Sequence, residues 1–167
     1  MTNATRILLL LTVLALAACG FHLRGSNLKG LEFAFKSLYL KAPGETPFVA
    51  DLRRALTANK VNLTATSDQA ELVLEVVSEQ PGKQILSLSG SGRVREYQLF
   101  YRVSLRAYDS RLTDWLPAEE ISLSRIMTYD DEQVFAKQQE EALLYKDMRS
   151  DAVAQAMRRL SRAKPQE

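Results

Sequence analysis

Residues 93–109 read RVREYQLFYRVSLRAYD and alternate between apolar and polar side chains. Because successive side chains of a β-strand point to opposite faces, this alternation predicts an antiparallel strand with one buried and one solvated face. The predicted buried face consists of Tyr97, Leu99, Tyr101, Val103, Leu105 and Ala107. The predicted solvated face consists of Gln98, Arg102, Ser104 and Arg106, with Phe100 and Tyr108 as exceptions.

Three further strands are predicted around this segment. The first is expected at 31–42, where apolar residues are frequent and Pro43-Gly44 follows. The others are a Val- and Leu-rich strand at 70–79 and an alternating strand at 118–129. Pro81-Gly82 and the Gly-Ser-rich run 87–92 predict a long hairpin tip, and 109–114 predicts a second turn.

Two helices are predicted. Thr46 is a suitable cap for the first, Pro47 suits its first position, and Asn59-Lys60 is expected to end it. The second is expected from about residue 131 to residue 162. Its apolar stripe consists of Val134, Leu144, Tyr145, Met148, Ala152, Val153, Ala156, Met157 and Leu160.

The predicted order of elements, β-α-β-β-β-α, is typical of an α+β fold. We expect a small, mostly antiparallel four-stranded sheet with two helices packed on one face. A chain of 167 residues is long enough for one such core. We assign residues 31–163 to this single domain and residues 164–167 to a short tail.

The N-terminus predicts export and lipidation. Arg6 precedes an apolar run of about twelve residues, which fits a signal peptide at 1–18 and is too short to cross a bilayer unaided. The run ends in Leu16-Ala17-Ala18-Cys19-Gly20, a bacterial lipobox in which Cys19 is acylated after cleavage. The alternative is an ordinary secretory signal with Ala17-Ala18 as its cleavage residues. Gly20, where inner-membrane lipoproteins usually carry Asp, favours the outer membrane, with residues 19–30 as the lipidated Cys and tether.

Composition excludes several classes of site. The single Cys rules out an internal disulfide and a multi-Cys metal site, and the single His weakens every Ser-His or Cys-His scheme. Asp130-Asp131-Glu132 is interpreted as helix capping rather than a metal site. A formal net charge of +2 does not predict a nucleic-acid partner. We expect no enzyme activity, no cofactor and no metal.

Binding is the remaining function. Basic residues are expected at the hairpin tip, along the solvated strand face and at the start of the last helix; they are Lys83, Arg93, Arg95, Arg102, Arg106 and Lys137. Arginine suits capture of phosphate or carboxylate, so these residues indicate an anionic amphiphile or an acidic protein surface as partner. The alternative is that they are solubility charges. Phe100 and Tyr108 would add exposed apolar area.

The mature N-terminus CGFHLR, residues 19–24, resembles the lipopolysaccharide-assembly lipoprotein family (LptE, formerly the rare lipoprotein B group). Glu96-Tyr97-Gln98, which opens the long strand, and Lys137 near the start of the last helix extend the similarity to about residues 19–163. The Gly-Ser-rich tip departs from the family, because its basic residues come a few positions later than in related sequences.

This resemblance implies a role in the outer membrane. Members of the family plug the lumen of the LptD β-barrel in a 1:1 complex, assist its assembly, and help deliver lipopolysaccharide to the outer leaflet. They also bind lipopolysaccharide, which implies Arg93, Arg95 and Lys137 as partners for its phosphates. The body would face the periplasm or lie inside the barrel lumen.

Two other functions remain open from the sequence. The first is a stand-alone, periplasm-facing lipoprotein that carries or chaperones a lipid or a peptidoglycan fragment. It would have a concave apolar cavity and no barrel partner. The second is a lipid-anchored hydrolase, which would need a nucleophile and a base that we do not find.

Overall fold

A computed structural model describes residues 30–166 of the chain. The predicted signal peptide, Cys19 and nearly all of the tether lie outside the described residues, as does Glu167. The predicted α+β class is confirmed: the described residues form a five-stranded sheet that carries two helices on one face. The sheet has one more strand than expected.

The elements follow the predicted order. They are β1 (Ser37–Lys41), α1 (Pro47–Ala58), β2 (Asn62–Leu63), β3 (Leu72–Leu88), β4 (Val94–Asp109), β5 (Asp114–Thr128) and α2 (Val134–Leu160). Short 3₁₀ helices at Ser67–Gln69 and Asp131–Gln133 precede β3 and α2. Strand β1 pairs in parallel with β2 and β3, whereas β3, β4 and β5 form a long antiparallel meander.

Helix α1 begins and ends where the sequence predicts. The hydroxyl of Thr46 accepts a hydrogen bond from the backbone N–H of Val49 at 3.3 Å, and Pro47 occupies the first helical position. Asn59 ends the helix, and its side chain donates to the carbonyl of Ala55 at 2.9 Å. The buried face of the helix consists of Phe48, Val49, Leu52 and Leu56.

One hydrophobic cluster joins the sheet to both helices. The predicted buried face of β4 is confirmed, since Leu99, Tyr101, Val103, Leu105 and Ala107 are all buried and Tyr97 packs against the cluster. The C-terminal half of α2 contributes Met148, Ala152, Val153, Ala156, Met157 and Leu160. Val134, which we placed in the same stripe, is exposed. It is the first residue of α2, well before Met148, where the buried face of the helix begins.

The predicted hairpin tip at 81–92 is wrong in its extent. Strand β3 continues through Pro81 and Gly82 to Leu88, and only 89–93 form the turn. The reason is that β1 pairs with β3 only as far as Glu75, so that among the described residues β3 has β4 as its single neighbour beyond that point. Proline is tolerated on such an edge, because its missing N–H removes no ladder hydrogen bond.

The N-terminal side of the sheet also differs from the prediction. Strand β1 starts at Ser37 rather than at Leu31, because Phe35 packs against Trp115 and the N–H of Lys36 is bound by the Glu71 carboxylate at 2.8 Å. The unpredicted strand β2 is held by two backbone bonds of 3.0 Å, from Asn62 to Lys36 and from Thr64 to Leu38. Two residues are too few to give a periodic pattern.

The antiparallel meander gives the body two ends. The proximal end comprises residues 30–36, 59–60, 109–115 and 160–166, which the topology brings together at the start of β1 and β3. The distal end comprises the β3–β4 turn 89–93, residues 126–133 and the first turns of α2. The 17 residues of β3 separate them by about 50 Å.

No helix among residues 30–166 combines the length and the apolar character that crossing a membrane requires.

Candidate functional site at the distal end

The β3–β4 turn presents Arg93 to solvent. The N–H of Ser89 donates to the carbonyl of Arg93 at 2.7 Å, and the N–H of Arg93 donates to the Ser89 hydroxyl at 3.1 Å. Gly92 completes the turn with a φ of 79°, a conformation that glycine adopts without strain. The backbone of Arg93 is therefore fixed while its guanidinium stays exposed, and this side chain forms no ion pair within residues 30–166.

Arg95 lies beside an open cavity between the ends of β3, β4 and β5. The cavity has a volume of about 530 Å³ and is lined by Ser87, Leu88, Arg95, Glu96, Thr128 and Tyr129. Its walls are connected by hydrogen bonds from Tyr129 N–H to the Arg95 carbonyl (2.8 Å) and from the Ser87 hydroxyl to the Glu96 carboxylate (2.6 Å). The cavity thus offers a guanidinium and several hydroxyl groups beside apolar surface.

Lys137 contacts one of the residues that line this cavity. Its Nζ donates to the Thr128 hydroxyl at 3.0 Å and to the Glu140 carboxylate at 2.8 Å. Only 15% of the side chain is exposed. An ammonium group has three donors, so one remains for a further acceptor. Of the sequence-predicted residues, Arg95 therefore lines the cavity and Lys137 is linked to it through Thr128.

Lys83 is not at the turn, contrary to our expectation. It lies within β3 opposite Leu99, on the face that carries the helices. There it pairs with Glu141 of α2 at 2.7 Å and lies 4.7 Å from the centre of the Tyr97 ring. The hydrogen bond to Glu141 raises the pKa of Lys83. Lys83 therefore connects the β3–β4 hairpin to α2. The ring of Tyr97 in turn packs edge-to-face against the ring of Tyr129.

The distal half also carries exposed apolar side chains that sequence reasoning missed. The core does not reach this far, because Met148 is the first buried residue of α2. The exposed apolar side chains of the distal half are Ile85, Leu86, Leu88, Ile126, Val134, Phe135 and Leu143. Phe135 is 83% exposed. The sequence signal for these exposed side chains was the apolar pair Ile85-Leu86, which lies inside the segment that we predicted to be a turn. Cationic and apolar groups together make this end amphiphilic.

The open face of β4 confirms the predicted polar pattern and explains its two exceptions. Arg102 lies 4.9 Å from the centre of the Phe100 ring, and Arg106 lies 5.0 Å from that of Tyr108. Both rings are partly buried by these stacks. Arg106 is further paired with Asp114 at 2.9 Å. Arg102 and Arg106 thus stack on aromatic rings. Arg93, in contrast, is exposed on the turn.

The acidic run before α2 acts as a cap. Asp130 accepts the N–H of Glu132 at 3.0 Å and the side-chain amide of Gln133 at 3.0 Å. Within residues 30–166, no three His, Cys, Asp or Glu side chains are grouped to hold a metal ion.

Comparisons with known proteins agree with this architecture. The LptE profile, described as lipopolysaccharide-assembly, matches residues 35–160. The chain belongs to the LptE family. A curated relative, the LPS-assembly lipoprotein LptE of Pectobacterium atrosepticum, is 26% identical over 156 residues, which span 90% of this chain and 80% of that protein.

Solved LptE-like structures share the fold. The solution structure of lipoprotein B from Nitrosomonas europaea matches with a TM-score of 0.71 and 38% identity, over 85% of this chain and 90% of that one. The crystal structure of a minor lipoprotein from Acinetobacter baumannii matches with a TM-score of 0.66 and 26% identity, over 81% and 98%. Rare lipoprotein B from Shewanella oneidensis gives 0.63 and 26%, over 72% and 92%. This chain is thus a lipopolysaccharide-assembly lipoprotein of the LptE family.

Proposed function

We propose that this LptE-family lipoprotein is held at the outer membrane by acylated Cys19 and plugs the lumen of an LptD-type β-barrel. The complex contains one copy of each chain, and the lipoprotein assists assembly of the barrel and delivery of lipopolysaccharide to the outer leaflet. Residues 1–18 are the signal peptide, 19–30 the lipidated Cys and tether, 31–163 the folded body and 164–167 the tail. Family membership supports this role.

The dimensions of the body support its orientation in the barrel. Residue 30, to which the tether is joined, lies at the proximal end, and the distal end is about 50 Å away. The apolar band of an outer-membrane barrel is only about 25 Å tall. A body anchored in the inner leaflet by its proximal end is therefore long enough to carry Arg93 and Lys137 to the level of the outer leaflet.

The amphiphilic character of the distal end supports lipopolysaccharide binding. The lipid A part of lipopolysaccharide combines phosphate groups with acyl chains, so it needs cations beside apolar surface. Arg95 and the exposed Leu88 line one cavity with Thr128, and Lys137 donates to the Thr128 hydroxyl. Arg93 is exposed on the adjacent turn. We assign phosphate binding to Arg93, Arg95 and Lys137.

Titration of the processed chain with lipopolysaccharide in detergent tests this assignment. Arg93→Asp combined with Lys137→Asp is expected to weaken binding at least about tenfold, because a hydrogen bond to a charged group contributes about 1.5–3 kcal/mol. Lys36→Asp combined with Lys60→Asp is the matched control, since it makes the same change of charge at the proximal end. The control is expected to bind like the parent chain.

Glu140→Gln separates a ligand role of Lys137 from a structural one. It removes the ion pair that holds Lys137 and leaves the hydrogen bond to Thr128 in place. If Lys137 binds phosphate, this variant binds lipopolysaccharide more tightly. Equal binding by the parent chain, the Arg93/Lys137 variant and Glu140→Gln at low salt contradicts the assignment.

We also propose that the protein works without catalysis, cofactor, metal or nucleic acid. The part-buried carboxylate of Glu79 accepts hydrogen bonds from the hydroxyls of Tyr101 and Thr46, which indicates a structural role for this group. The nucleophile that the sequence offers, Cys19, is assigned to the lipid. Labelling by an activity-based serine probe would contradict this part of the proposal.

A further inference from the structure

The proximal end carries a second basic surface, remote from the distal site. Its exposed basic residues are Lys36, Lys60, Arg111, Arg162 and Lys164, with Arg158 nearby in the last turn of α2. We propose that this proximal surface binds the head groups of anionic phospholipids in the leaflet that holds the lipid anchor. The inference deepens the proposed function and rests on it, because it takes Cys19 as the anchor.

A depression at this end is suited to a phosphate head group. It has a volume of about 420 Å³, and its walls include Trp115, Pro117, Arg162, Lys164 and Gln166. It is kept in shape by a hydrogen bond from the Gln166 N–H to the Asp114 carbonyl at 2.9 Å. The C-terminal tail thus lies along the start of β5 and holds Lys164 beside the depression.

The charges around the depression leave an excess of cations. The one acidic residue that lines it, Glu119, is paired with Arg159 at 3.0 Å. Arg162 and Lys164 form no ion pair with any described residue. The C-terminal end of α2 adds about half a negative charge, which the neighbouring basic residues outweigh. The surface therefore attracts anions.

Leu112 adds an apolar contact at the same end. It is 71% exposed on the β4–β5 turn and has a φ of 63°. This left-handed conformation costs an L-residue about 1–2 kcal/mol and is normally given to Gly or Asn. A strained position that nevertheless carries a large exposed apolar side chain indicates a function. Together with the neighbouring Arg111, Leu112 is suited to insert into the interfacial region of a membrane.

The tether keeps this surface near the membrane. Ten residues lie between Cys19 and Gly30, so the proximal end lies within at most about 40 Å of the anchor. The position of residue 30 follows from Leu31, whose N–H donates to Asn59 at 3.2 Å, and from Phe35, whose ring lies 6.4 Å from that of Trp115. The end that carries the basic surface is therefore the end that the anchor holds.

Vesicle binding by the processed chain with Cys19→Ser, which cannot be acylated, tests the inference. The chain is expected to sediment with vesicles of phosphatidylethanolamine and phosphatidylglycerol and not with vesicles of phosphatidylcholine. Arg162→Gln combined with Lys164→Gln is expected to weaken binding about 25-fold, at about fivefold for each charge. Leu112→Asn, which suits the left-handed turn, is expected to weaken binding while the fold is retained.

The matched control is Arg53→Gln combined with Lys146→Gln, which changes two exposed basic residues in the middle of α1 and α2, away from both ends. It removes the same number of charges and is expected to leave vesicle binding unchanged within about twofold. Equal loss in the two pairs, loss in the control pair alone, or no preference for phosphatidylglycerol overturns the inference. Lipopolysaccharide titration separates the two proposals, because the Arg162/Lys164 variant is expected to leave that binding unchanged, whereas the Arg93/Lys137 variant is expected to weaken it.

Discussion

The ring of Phe100 lies on the backbone of Gly82, its partner across the β3–β4 pair, so closely that a methyl group at position 82 would overlap the ring. The carbonyl of Gly82 also accepts a hydrogen bond from the Tyr145 hydroxyl at 2.7 Å. An aromatic ring and a helix hydroxyl therefore fix the edge strand at the point where Pro81 lies in it.

Gly82→Ala is expected to lower the free energy of unfolding by about 1–2 kcal/mol, because the Phe100 ring must move away and leave its stack with Arg102. Urea denaturation followed by circular dichroism measures this change. In the Phe100→Ala background the added methyl group meets no ring, so the same substitution is expected to cost almost nothing. Equal costs in both backgrounds would show that the close contact is irrelevant to stability.

Thr46 is expected to stabilise the fold through two hydrogen bonds. Its hydroxyl caps α1 at Val49 and donates to the Glu79 carboxylate at 2.5 Å. Thr46→Ala is therefore expected to cost about 1–2 kcal/mol, and Thr46→Ser to restore most of it. Thr57→Ala is the control, because that hydroxyl is exposed and only donates back to the Arg53 carbonyl. Similar midpoints of thermal unfolding for Thr46→Ala and Thr57→Ala would refute the capping role.

Stability is expected to fall at alkaline pH through Tyr101. This residue is 3% exposed, and burial together with its hydrogen bond to Glu79 raises the pKa of its hydroxyl. An unfolded tyrosine ionises near pH 10, so the contribution is complete below about pH 10 and is lost as the pH rises above it. Burial also raises the pKa of Tyr145, which adds to the same loss.

Urea unfolding at neutral and alkaline pH checks this dependence. Tyr101→Phe is expected to be less stable than the parent chain at neutral pH, because Glu79 loses a donor, and to lose less stability above pH 10. Combining it with Tyr145→Phe is expected to flatten the dependence further. The same alkaline loss in the parent chain and in the double variant would assign the effect to other groups.

Leu112→Gly is expected to stabilise the body by about 0.5–1 kcal/mol, because glycine adopts a φ of 63° without steric cost. The turn itself is retained, since the Asp109 carboxylate accepts the N–H groups of Arg111 and Thr113 at 2.8 and 3.0 Å. Differential scanning calorimetry is the measurement, with Arg111→Gly as a neighbouring control that relieves no left-handed residue. A melting temperature at or below that of the parent chain would exclude strain at Leu112.

The parts of the fold that local chemistry specifies were predictable from the sequence. The cap at Thr46 with Pro47 set the start of α1, and the alternation from Tyr97 to Ala107 set the buried face of β4. Pro81-Gly82 was misread because the rule that breaks a strand at proline applies to a strand with two neighbours. Which strand lies at an edge is a property of the whole sheet, so no local pattern contains it.

The candidate site was predictable in its residues but not in their surroundings. Lys137 is linked through Thr128 to the cavity that Arg95 lines, and this contact depends on where β5 ends and α2 begins. Lys83, another basic residue of the predicted tip, lies within β3 and pairs with Glu141. We did not predict the exposed apolar side chains near Leu88, because we had assigned this segment to a turn. The binding that we propose for this end thus depends on tertiary contacts that charge patterns alone do not show.

Native mass spectrometry of the full chain, purified from outer membranes in mild detergent, measures whether the proposed complex forms. We predict a stable assembly of one acylated copy of this chain with one outer-membrane β-barrel protein of the LptD type. A chain that purifies alone, with or without a bound lipid, or one whose Cys19 carries a free thiol, would contradict it.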